Sequence, residues 1–134
     1  MENQRNWLNI GEFQFSQAQV IEACHMFGDT NPMHLKKGVV QFGMTLGSVG
    51  ARAYQWCLDN GLIKRLAVIK EYTGKCGETP IRASYTYDCQ ADFDPGDGKI
   101  GTVYFRIVDL SKKEHDCAFF LFEGTLTVRY NSPN

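Results

Sequence analysis

Apolar and polar residues alternate over residues 6–15, with Leu8, Ile10, Phe13 and Phe15 apolar and Gly11 between them, which predicts a short or bulged strand. The period then changes. Ser16 stands at an N-cap position and Gln19 follows three residues later, a capping box in which each side chain can satisfy an orphan backbone N–H of the other. Val20, Ile21, Cys24 and Phe27 share one face of the helix this starts, and Gly28 is its natural terminator. A second helical pattern covers residues 42–60, where Leu46, Val49, Ala53, Trp56 and Cys57 keep helical spacing and Gly61 can cap the end. Few charges interrupt it, so a buried helix is expected. Gly43, Gly47 and Gly50 form a stripe along it. A glycine inside a helix costs roughly 1 kcal/mol relative to alanine, so three in two turns imply close approach of something to the backbone. Either the helix packs tightly on a sheet, or its N-terminus is left bare for a ligand.

The second half of the chain reads as strands. Residues 65–72 and 80–93 are two, the latter with Ile81, Ala83, Tyr85 and Tyr87 on one face. Asp94-Pro95-Gly96-Asp97-Gly98 is a turn, residues 99–110 a third strand, 111–116 a polar turn and 117–130 a last long strand. Helices followed by long antiparallel strands predict an α+β domain in which a curved sheet wraps a central helix.

Composition narrows the possibilities. With 134 residues, 43% hydrophobic and 22% charged, the chain suits one core, and a single domain over residues 1–134 is expected. Fourteen Lys and Arg against fifteen Asp and Glu, with no basic run, argue against a nucleic-acid partner. The polar start and the lack of any membrane-length apolar run argue against a membrane partner and for a cytoplasmic location. Cys24, Cys57, Cys76, Cys89 and Cys117 are scattered, without a C-x-x-C pair or a zinc-like spacing, so no metal site is expected. His25 and His115 read as packing or surface residues, and the run 119–122 as core or a dimer seam.

The candidate chemistry lies between the two helices. Phe27 to His34 reads F-G-D-T-N-P-M-H. Pro32 biases Asn31 away from helix, and the Asp29 and Asn31 side chains can fold back onto nearby amides, so the loop is stiff. As a turn it needs no function; a carboxylate and an imidazole held over one reacting atom is the sharper reading.

The order of parts is helix, Asp29-Thr30-Asn31-Pro32-Met33-His34, a glycine-led apolar helix, then strands broken at Asp94-Pro95-Gly96-Asp97. From about residue 16 to residue 128 this resembles the hot-dog fold of the MaoC-like dehydratases and (R)-specific enoyl-CoA hydratases. The resemblance implies reversible hydration of trans-2-enoyl to (R)-3-hydroxyacyl thioesters on coenzyme A or an acyl carrier protein, with no cofactor and at least a homodimer. It makes Asp29 and His34 the acid/base pair, their division of labour open, with Asn31 orienting the loop. Hydration needs a base for water and an acid for C2, which these residue types supply. By the same resemblance the Gly43 N–H is the oxyanion donor. Asn31, Phe42 and Ser48 are candidate substrate contacts. The triplet here is Phe42-Gly43-Met44 where the family has His-Gly-Met, and only residues 35–41 separate it from His34. Acyl length and carrier are therefore not implied. A catalytically silent module binding acyl thioesters and a hot-dog thioesterase are the rival readings.

Overall fold

The structure, a computed structural model, describes residues 5–63, 67–109 and 120–130. The expected turn at 111–116, with His115, Cys117 and residue 119, lies outside the described residues. Strand β1 (Leu8–Phe13) carries the bulge expected of it, between Asn9 and Gly11, where Gly11 takes φ 121°. Helix α1 (Gln17–Phe27) opens with the reciprocal capping box: Ser16 Oγ accepts the Gln19 N–H at 3.0 Å, and Gln19 Oε1 accepts the Ser16 N–H at 2.8 Å. Gly28 ends it in the left-handed conformation, φ 67°.

A single turn, α2 (Pro32–Leu35), precedes the eighteen-residue α3 (Phe42–Asp59). Strands β2 (Ala67–Cys76), β3 (Tyr87–Asp94), β4 (Ile100–Val108) and β5 (Phe120–Tyr130) complete one antiparallel sheet in the order β1-β3-β4-β5-β2. Side chains alternate along a strand, so Val103, Phe105 and Ile107 of β4 and Phe122, Leu126 and Val128 of β5 all turn to one face. They are buried there with Val49, Ala53 and Cys57 of α3. Full burial of one such large side chain contributes about 1.5–3 kcal/mol. The sheet thus curves around one long helix, as the sequence pattern predicts.

Three expectations are corrected. Residues 80–93 do not form one strand: only Tyr87–Asp94 joins the sheet, and Tyr85 is exposed while Ile81, Ala83 and Tyr87 are buried. Ser84 adopts φ 71°, which breaks the alternation. The backbone there bonds to loops instead, Ala83 N–H to Gly38 O and Ser84 N–H to Phe15 O. Helix α3 buries one face, through Thr45, Val49, Gly50, Ala53 and Cys57, and leaves the other open. Phe27, expected on the buried face of α1, is exposed; Ala23 takes its place beside Val20 and Cys24.

The glycine stripe divides accordingly. A methyl at Gly50 would lie 3.1 Å from the Tyr72 ring and 3.5 Å from Leu126 and Phe105, so this glycine lets α3 approach the sheet. Methyls at Gly43 or Gly47 would meet nothing within 4 Å. Their backbone faces open space. No helix among the described residues is long and apolar enough to cross a membrane.

Candidate active site

Gly28 turns the chain out of α1 and the Asp29 N–H returns to Cys24 O at 2.8 Å, which fixes where the Asp29 side chain begins. Its Oδ1 accepts the Asn31 N–H at 3.0 Å in an Asx turn. Asn31 in turn caps α2, its Oδ1 accepting the Met33 N–H at 3.0 Å, with Pro32 at the first helical position where a missing N–H does no harm. Asp29, Asn31 and His34 therefore each have a backbone task. Asn31 holds the loop, as the sequence suggests.

Those tasks leave one oxygen of Asp29 and one nitrogen of His34 free to face each other. His34 Nδ1 lies 2.7 Å from Val39 O, and a carbonyl oxygen only accepts, so Nδ1 carries the hydrogen. In the neutral imidazole the lone pair is then on Nε2. Nε2 stands 3.9 Å from Asp29 Oδ2. That is too long for a direct hydrogen bond, but two acceptors so spaced can each take a bond of about 2.8 Å from one water molecule. Both side chains are about one-fifth exposed, so such a water can enter from solvent.

Gly43 is the second residue of α3. Gln41, at the N-cap, gives no side-chain cap, and the first bond into the helix is Thr45 N–H to Gln41 O at 3.0 Å. The Gly43 N–H has no acceptor within its own helix and sits at the positive end of the helix dipole. Two contacts tie this end to the acid/base loop. Gln41 Nε2 donates to Cys24 Sγ at 3.2 Å, beside the start of the Asp29 turn. Val39, whose carbonyl holds His34, is four residues from Gly43, a span of at most about 14 Å of extended chain. The acid/base loop is thus tied, through Val39 and Gln41, to the segment that leads into α3.

Phe42 also lies here, 46% exposed, with its ring 5.5 Å from that of Phe122. It borders a cavity of about 320 Å³ shared with Val39, Val40, Thr45, Ile81 and Leu121. Ser48 is not brought in: it is exposed and lies five residues, about 140°, round the helix from Gly43. A larger cavity of about 590 Å³ lies over β2, β4 and β5 near Arg5, Trp7, Tyr104 and Arg106. Its lining includes the cross-strand neighbours Lys75 and Glu123 but neither Asp29 nor His34, and its arginines are engaged, Arg5 with Asp92 and Tyr104, Arg106 with Gln90 and Trp7.

Three of the thiols, Cys24, Cys57 and Cys89, are buried. Burial pushes the Cys24 thiol up, and the nearby Asp29 charge pushes it further in the same direction. Burial raises Cys57 and Cys89 to about 12. Among the described residues, no three His, Cys, Asp or Glu side chains converge as a metal site would need. Sequence reasoning missed Val39, Gln41 and Gly74, which opposes Phe42. Val39 acts through its carbonyl, which no side-chain pattern reports.

No family model matches the chain, and no curated protein does. Solved structures do. The (R)-hydratase of A. caviae involved in PHA biosynthesis is 16% identical with a TM-score of 0.65, over 97% of this chain and 98% of that one. The HadBC (3R)-hydroxyacyl-ACP dehydratase complex of Mycobacterium tuberculosis is 13% identical with a TM-score of 0.67, over 96% and 98%. A hexameric thioesterase of Yersinia pestis is 11% identical with a TM-score of 0.60, over 99% and 93%. Likeness at these identities establishes the fold: the chain has the antiparallel, helix-wrapping sheet of the hot-dog proteins.

Proposed function

We propose that the chain is a hydro-lyase of the MaoC-like kind, interconverting trans-2-enoyl and (R)-3-hydroxyacyl thioesters carried on coenzyme A or an acyl carrier protein. The observation that carries this is the 3.9 Å separation of Asp29 Oδ2 and His34 Nε2, both acceptors, on one internally bonded loop. A water donating to both presents its oxygen lone pairs away from them, toward a substrate. In the hydration direction one of the pair takes a proton from that water while its oxygen bonds C3. The electrons of the C2–C3 double bond move onto the thioester oxygen, and C2 then takes a proton from the pair. Asp29 and His34 share these two transfers.

The thioester oxygen gains charge in this step. A donor aimed at it is worth far more in the transition state than in the ground state, and we assign that role to the Gly43 N–H, which has no helical partner. The Gly43 and Gly47 faces, open beyond 4 Å, leave room for the carrier to lie along α3. We propose a homodimer working in the cytoplasm. The fold neighbours are themselves assemblies, a HadBC complex and a hexamer.

Thioesterases share the fold, so the test separates the two reactions. Hydration consumes the conjugated enoyl-thioester absorbance and releases no thiol; hydrolysis releases thiol. Asp29→Asn and His34→Ala are each expected to lower hydration by about 10²–10⁴-fold while the circular dichroism stays native. Thiol release by the wild type, or acyl-thioester binding without turnover at any chain length or carrier, would replace this reading.

A further inference from the structure

The Phe42 ring is packed into a gap that only a glycine leaves. A methyl built at Gly74, on the edge strand β2, would lie 3.0 Å from the tip of the Phe42 ring, 3.0 Å from that of Phe122 and 3.1 Å from Leu46 Cδ1. Three side chains from α3 and β5 thus converge on one residue that has none. Phe42 fills the space between the start of α3 and the sheet, against Phe122. It also forms a wall of the 320 Å³ cavity. Val39, whose carbonyl accepts from His34 Nδ1, is another wall, so the cavity and the acid/base loop share this residue. The rest of its lining combines apolar Val40, Pro80, Ile81 and Leu121 with Thr45, Cys76, Gly77, Glu78 and Thr79.

We infer that this cavity receives the acyl chain and that the Phe42–Gly74 pair ends it, restricting the enzyme to thioesters of short acyl chains. The inference rests on the proposed function for the identity of the ligand. A chain entering beside Val39 meets the Phe42 ring, which is half exposed but held by Phe122 and over Gly74, before it can run on between α3 and β2. Removing the ring joins the cavity to the gap at Gly74 and Leu46. Refilling the gap from strand β2 closes it again.

The test measures chain-length dependence by binding as well as by turnover. Saturated acyl-CoA thioesters of four and ten carbons, which have no double bond to hydrate, are titrated calorimetrically into wild type, Phe42→Ala, Phe42→Leu and the double variant Phe42→Ala/Gly74→Val. Hydration of the matching enoyl-CoAs is measured in parallel. Wild type is expected to favour the four-carbon chain by at least about tenfold. Phe42→Ala is expected to shift the ratio about tenfold or more toward ten carbons, and Phe42→Leu, which keeps a packed side chain there, to shift it less. The double variant is expected to move the ratio back. Loss of turnover with these binding ratios intact would overturn the hydratase reading and leave the pair. A binding ratio unchanged across the folded variants, or no acyl-CoA binding at either length, would overturn this inference.

Discussion

Asp29 and His34 each spend one polar atom on the backbone and keep the other for the site. Oδ1 takes the Asn31 N–H and Nδ1 gives its hydrogen to Val39 O, which leaves Oδ2 and Nε2 facing each other. Asn31→Ala removes the α2 cap and the acceptor for the Met33 N–H, a loss of about 1 kcal/mol of local stability. Activity is expected to fall further than global stability, because the turn it caps carries His34; comparing kcat with the denaturation midpoint checks this. The buried thiols make a second prediction. Cys57 and Cys89 stay protonated in the folded chain up to about 12, whereas the ordinary value is 9.0. Between these values the unfolded chain sheds protons that the folded chain keeps. Their contribution is whole below pH 9 and is lost as pH rises toward 12. Urea midpoints taken between pH 8 and pH 11 are expected to fall, and to fall less in Cys57→Ala/Cys89→Ala. An equal slope in the two proteins would contradict it.

At the scale of elements, what could be read from the sequence was what is chemically local. The Ser16/Gln19 box and the Gly28 end of α1 depend on residues within one turn, and both are present as expected. Ser16→Ala is expected to lower stability by about 1 kcal/mol in denaturant titrations. The 94–98 turn is equally local: Asp94 Oδ1 accepts the Gly96 N–H, and Asp97 Oδ1 accepts those of Lys99 and Ile100. Strand 80–93 was not legible to its true start. Its period-2 pattern continues through Ser84, a residue with no evident reason to turn left-handed, and the break is decided by distant acceptors on Phe15 and Gly38. Gly124 shows the same dependence from the other side. A methyl there would lie 2.5 Å from Thr73 O and 2.7 Å from the Phe105 ring, and a strand carbonyl has little room to move. Gly124→Ala is expected to destabilise the protein by about 1–3 kcal/mol, read from the same titrations.

At the scale of the whole molecule, the six residues from Asp29 to His34 announced the pair, because they sit together in the chain. Their surroundings were hidden: Phe42 meets Gly74 and Phe122 only once α3 lies across the sheet. The open face of α3 was hidden too, since an apolar helix does not reveal which of its faces its own sheet covers. Exposed Phe42 on α3 and Tyr72 on the α3-facing side of the edge strand β2 are apolar surface of the kind a homodimer would need. Sedimentation velocity is expected to give twice the mass of one chain; a wild-type monomer would contradict the dimer. The central claim is tested most directly by following a short-chain trans-2-enoyl-CoA at its conjugated-thioester absorbance with wild type, Asp29→Asn and His34→Ala side by side. The account predicts loss of absorbance without free thiol in the wild type, slowed at least about a hundredfold in each folded variant. Equal rates in all three would contradict it.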